Sequence, residues 1–180
     1  MAGLSTIVST RRGKRWRPLA RVYSRLQQAC AVILLALSCL PAPLWANADV
    51  DRLLTQSTPP EGVVFEIVEA DEDALETLIP KVQQAINRIR ARFPQTEFAV
   101  VSHGREEFAL QTQYREEYDE VHQQVQSLVA DDVPVHICET HAGWYGVTAE
   151  DFPTYVDVSP TGPGQIRLYE ELGYELIVID

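Results

Sequence analysis

Val133-Pro134-Val135-His136-Ile137-Cys138 decides how this chain folds. β-Branched residues dominate it, and turn-forming Asp131-Asp132 stands before it, so it reads as a strand. Pro134 near its beginning suits the first positions of a strand, where a missing N–H costs little. Four further runs have the same character: Val63–Val68, Phe98–Val101, Tyr155–Val158 and Tyr174–Ile179. Helical patterns lie between them. From Asp73 onward, Leu75, Leu78, Val82, Ile86, Ile89 and Phe93 recur on one face, with Pro80 predicting a kink or a restart. From Glu116, Val121, Val125, Leu128 and Val129 form a second apolar stripe. Gly164 to Leu172 reads as a short helix closed by Gly173. Strands alternating with helices predict an α/β fold, a three-layer α/β/α sandwich on a mostly parallel sheet of about five strands.

The remaining stretches connect these elements. Asp49 to Gly62, with Pro59-Pro60, reads as an irregular lead-in, and Arg105 to Arg115 is polar without a clear period. Gly143-Trp144-Tyr145-Gly146 reads as a loop, followed by a helical turn that Thr148 would cap.

Charge divides the chain into two parts. Seven basic residues and no acidic one precede position 49. The rest holds the other eight basic residues and all 26 acidic ones, a formal charge of −18. The basic part also contains the apolar run Ala29–Leu40, then Pro41 and Pro43, then Ala46-Asn47-Ala48, the small-x-small pattern that signal peptidase accepts. The run is shorter than the ~20 residues of a membrane helix. The expected organisation is therefore a signal peptide over 1–48, a lead-in over 49–62 and one domain over 63–180, exported to the periplasm or beyond. No membrane attachment is expected after cleavage. Nucleic acid is not an expected partner, because the acidic domain would repel it.

Cleavage removes Cys30 and Cys39 and leaves Cys138 as the one cysteine in an oxidising compartment. It is an inert core thiol, a reactive thiol or a link to another molecule. Ligands of open α/β sheets gather at the carboxyl ends of strands, where both Cys138 and His103 fall. Gly104 would let the backbone turn and bring a ligand close. A thiol that handles sulfur must react as its thiolate, which backbone N–H groups favour and neighbouring carboxylates, Glu139 first, oppose. The chain lacks a Cys-x-x-Cys pair, so a second thiol would come from elsewhere.

Val100-Val101-Ser102-His103-Gly104, Val133 through Thr140, Gly146 through Phe152 and Leu168 through Tyr174 together resemble the DsrE/DsrF-like sulfur-relay family. The resemblance runs from Val63 to Ile179, and the order of the pieces carries it. It implies a small α/β/α protein that forms homo- or hetero-oligomers, some of whose relatives carry persulfide sulfur on a cysteine placed like Cys138. The expectation is a sulfur carrier with Cys138 and His103 as its catalytic residues. Gly104, Glu139, Thr140, His141, Trp144 and Tyr145 would shape the binding site. No cofactor is expected; the partners would be a second copy of the chain and a thiol or persulfide donor or acceptor protein. Two other readings stand beside it: a Cys/His metal module using Cys138, His141 and His103 or His136, and a non-catalytic oligomeric subunit with a silent Cys138. His136 is expected on a sheet face, His122 in solvent, and Trp144 and Tyr145 at packing or oligomer contacts.

Overall fold

The computed structural model describes residues 47–180; the expected leader, apart from Asn47 and Ala48, lies outside the described residues. Five parallel strands form one sheet: β1 (Gly62–Ile67), β2 (Glu97–Ser102), β3 (Val135–Cys138), β4 (Asp157–Ser159) and β5 (Tyr174–Val178). Their order is β4-β3-β2-β1-β5. The helices are α1 (Ala48–Leu54), α2 (Leu75–Arg92), α3 (Asp119–Ala130), α4 (Glu139–Trp144) and α5 (Gly162–Glu171).

Topology places the helices. From β1 to β4 the chain steps in one direction across the sheet, so right-handed crossovers put α2 and α3 on one face. From β4 it returns past the other strands to β5, and the same handedness puts α5 on the opposite face. The two sides of β1 fill accordingly. Val63, Phe65 and Ile67 join the larger core under α2 and α3. Val64 joins Ala99, Val101 and Ile166 in a smaller core under α5. Burial on both sides explains the unbroken apolar run of β1.

Helix α2 buries Leu75, Leu78, Ile79, Val82, Ala85, Ile86 and Ile89, the stripe its sequence period predicts. Each large aliphatic side chain so buried contributes roughly 1.5–3 kcal/mol. The helix neither stops nor restarts at Pro80. This proline is the sixth residue of α2, so its missing N–H costs one bond near the helix start, and the packed face carries the helix across it. In α3, Val121, Val125 and Leu128 are buried and Val129 is half-buried. After α5, Gly173 takes φ 89°, the left-handed backbone that ends a helix most readily at glycine.

Three connections differ from expectation. The lead-in holds α1, whose Val50 and Leu53 are fully buried in the larger core. Gly143 and Trp144 belong to the short helix α4 rather than to a loop. The polar stretch after Gly104 forms a 3-10 turn, Arg105–Leu110, in which every residue from Glu106 to Leu110 is buried. At Thr148 the expected cap is present: its N–H and its hydroxyl both bond to Asp151 Oδ2, at 2.8 and 3.0 Å.

Candidate functional site

The connection leaving β4 turns toward one face of the sheet, while those leaving β1, β2 and β3 turn toward the other. The segments splay apart at the carboxyl edge and leave a cleft, as such a switch in direction does in open α/β sheets. The cleft measures about 820 Å³. Val68–Ala70 line it from β1, His103–Arg105 from β2, Cys138, Thr140, His141, Trp144 and Tyr145 from β3, and Thr161 and Pro163 from β4.

Cys138 is the last residue of β3 and the N-cap of α4. Its Sγ accepts the backbone N–H of His141 at 3.3 Å, and the residue, 4% exposed, lines the cleft. The carboxylate that touches this residue is Glu107, not Glu139. Glu139 opens α4 turned to solvent and is not among the residues lining the cleft. Glu107 is fully buried and bridges two groups: Oε2 accepts the Cys138 N–H at 2.9 Å, and Oε1 lies 2.8 Å from His141 Nδ1. Burial, opposed by the Cys138 N–H and reinforced by the charge of Glu106, pushes the Glu107 carboxyl up to about 8. Burial likewise lowers the His141 imidazole; Glu106 works against that, while His103 and Arg105 add to it. The His141 ring stacks on Phe108 with centroids 5.5 Å apart and meets Trp144 at 5.6 Å and Tyr145 at 5.3 Å.

His103 stands across the cleft mouth, its Nε2 2.8 Å from Glu66 Oε1. Behind it, buried Glu106 takes three donors: Glu69 N at 2.7 Å, Ser102 Oγ at 2.7 Å and Gly104 N at 2.9 Å. This carboxylate ties the end of β1 to the end of β2. Gly104 is required for closeness rather than for a turn. Its φ is −109°, an ordinary value, but a Cβ there would lie 2.3 Å from Glu106 Oε2 and 2.5 Å from Glu69 O. Arg105 pairs with Glu72 and lies over the Tyr145 ring at 5.7 Å.

Of the residues expected to form a site, the structure brings Cys138, His103, Gly104, Thr140, His141, Trp144 and Tyr145 to one cleft. Trp144 and Tyr145 are 76% and 52% exposed. His136 faces α5, its Nε2 2.8 Å from the Tyr169 hydroxyl and its Nδ1 3.1 Å from Ser159 Oγ. Burial lowers its imidazole. His122 is not in solvent. It is fully buried, bonded to the Tyr155 hydroxyl and, at 3.0 Å, to the Ala109 carbonyl, because α3 packs against the 3-10 turn there. Among the described residues no three His, Cys, Asp or Glu side chains are grouped to hold a metal ion. His103, His136 and His141 each bond to a different partner instead.

Glu106 and Glu107 are the residues that periodicity missed. Their signal was positional: two adjacent carboxylates shortly after a strand end and its Gly104, followed by apolar Phe108-Ala109-Leu110. That apolar triplet draws the turn inward and takes the carboxylates with it.

No family model matches the chain, and no curated protein does. Among solved structures it is similar to the protein of unknown function MTH1491 from Methanobacterium thermoautotrophicum, at 25% identity and a TM-score of 0.53. That match covers 64% of this chain and 96% of the other. A second similar structure, the conserved protein of unknown function BT1422 from Bacteroides thetaiotaomicron, is 12% identical with a TM-score of 0.46. It covers 66% of this chain and 95% of its own. The likeness to MTH1491 supports the α/β architecture derived above.

Proposed function

We propose that this domain is a DsrE/DsrF-like sulfur carrier that holds persulfide sulfur on Cys138. One observation carries the reading: Cys138 forms part of the wall of a cleft that His103 and His141 also line, and its sulfur accepts a backbone N–H. A carrier needs a thiol that a small persulfide or another protein's thiol can reach, and a strand-end cleft is where an α/β sheet presents one. The exposed aromatic rim of Trp144 and Tyr145 suits a docking partner or a second copy of the chain. Export to the periplasm or beyond belongs to the same proposal and rests on the basic leader and Ala46-Asn47-Ala48.

The slight exposure of Cys138 favours a second reading, a non-catalytic binding subunit with a silent thiol. One experiment separates the two. Under the carrier reading, folded protein gains the mass of one sulfur when offered a low-molecular-weight persulfide. Cys138→Ser abolishes the gain, and His103→Ala slows it without abolishing it. A Cys138 that reacts with alkylating reagents and persulfides only after denaturation establishes the silent subunit instead.

A further inference from the structure

Glu107 offers one carboxyl group to two neighbours that define the site. Oε2 receives the backbone N–H of Cys138, and Oε1 shares a hydrogen bond with Nδ1 of His141. The arrangement has two protonation states of different chemistry. With one proton in the shared bond and none on Nε2, the pair is an anion and Nε2 is a lone pair, a base. With a second proton, the pair is neutral and Nε2–H is a donor, wherever the shared proton sits. Nδ1 is engaged by a fully buried group, so Nε2 is the nitrogen left for the cleft that His141 lines.

We propose that Glu107 is a positioning residue that keeps this pair neutral at neutral pH, so that His141 presents Nε2–H, an acid, to the sulfur chemistry at Cys138. The neighbours favour this state. Glu107 is wholly removed from water, and among the described residues no Lys or Arg pairs with it. The charge of Glu106, on the same turn, repels a second anion. On the β2 side, His103 is bonded to Glu66 and Arg105 is paired with Glu72. His122 of α3 reaches the same turn but bonds the Ala109 carbonyl. The upward displacement of Glu107 to about 8 agrees with this balance.

The acid step rests on the carrier reading. The Cys138 thiolate attacks the outer sulfur of a persulfide R–S–SH. A sulfur–sulfur bond forms at Cys138 as the bond from that sulfur to R–S breaks, with no net oxidation. R–S⁻ leaves with the bonding pair, takes the proton of His141 Nε2 and departs as R–SH. The shared proton then settles on Nδ1, Glu107 becomes the carboxylate, and solvent returns a proton to the pair. A hydrogen bond from Nε2 thus serves the leaving thiolate, whose departure is otherwise slowed by its charge.

Two readouts test this. In protein labelled with ¹⁵N-histidine, His141 should carry its proton on Nε2 at pH 7 and lose it from Nε2, keeping one on Nδ1, as pH rises through about 8. E107Q, whose amide can donate to Nδ1 and accept from Cys138, should hold Nε2–H with no such transition. Nδ1–H alone in the native protein at pH 7 would overturn the proposal. That titration decides even if E107Q does not fold. In persulfide loading, the ratio of the E107Q rate to the native rate should climb across the transition, by about tenfold per pH unit beyond it. A ratio independent of pH refutes the acid role. If the titration is as expected and no sulfur is ever loaded, the carrier reading fails and the proton placement stands.

Discussion

Glu107 also leaves a mark on stability. Its ordinary value of 4.5 applies to the unfolded chain and about 8 to the folded one, so the folded state binds a proton more tightly. That contribution is fully present below about pH 4.5 and is lost as pH rises through about 8. Buried His122 and His136 act oppositely: their lowered imidazoles give stability that is lost as pH falls. Comparison with E107Q isolates the carboxyl. The urea midpoint of the native protein, relative to E107Q, should fall between pH 5 and pH 8.5. A difference that stays constant over that range would contradict the buried, proton-holding Glu107.

At the scale of elements, α1 shows how a short segment is held. Asn47 Oδ1 accepts the N–H groups of Asp49 and Val50 at 2.9 and 3.1 Å, and its Nδ2 donates to the Val178 carbonyl at 3.0 Å. One side chain thus caps α1 and ties it to the far end of the chain. Asn47→Ala should cost about 1 kcal/mol through the cap, with a further loss from the Val178 contact, seen as a lower Tm. The cap bears on processing as well. A protein processed after Ala46 keeps Asn47, whereas one processed after Ala48 loses it. The first form should melt at the higher temperature; equal Tm values would show that the cap contributes nothing. Helix α4 makes a related point. Six residues are too few to form a helix alone, so its existence depends on Cys138 at its start and on Ala142, packed into the larger core.

For the whole molecule, the unequal halves of the sandwich matter. Among the described residues one helix, α5, covers the sheet face opposite α2 and α3. Leu168 and Leu172 on α5 and Val178 on β5 are 55%, 66% and 45% exposed. Trp144 and Tyr145 at the cleft rim are exposed as well, and large exposed apolar residues suit an interface between copies. We expect the protein to self-associate. Light scattering should give a mass above one chain at micromolar concentration, and Leu168→Glu with Leu172→Glu should reduce it if α5 takes part. A monomer at all accessible concentrations would end the expectation. Among the described residues no helix is long and apolar enough to cross a membrane.

The amino-acid sequence by itself determined that there are five strands, the apolar stripes of α2 and α3 and the glycine stop after α5, although β3 and β4 begin at Val135 and Asp157 rather than at Val133 and Tyr155. Those features depend on periods of two and 3.6 residues and on backbone preference, which are local. It also determined that Cys138, His103 and Gly104 sit at strand ends, because the strands are bounded by their own turn residues. Tertiary structure alone decided α1 and α4, since each is shorter than a stable isolated helix and forms where packing and caps hold it. The buried state of His122 and of Glu106-Glu107 was decided there too. Polar residues carry no period that announces burial; they enter the interior when a distant partner satisfies them, as Tyr155 and the Ala109 carbonyl do for His122. The Cys138–Glu107–His141 arrangement joins positions more than 30 residues apart, and only the parallel pairing of β2 with β3 brings their ends together.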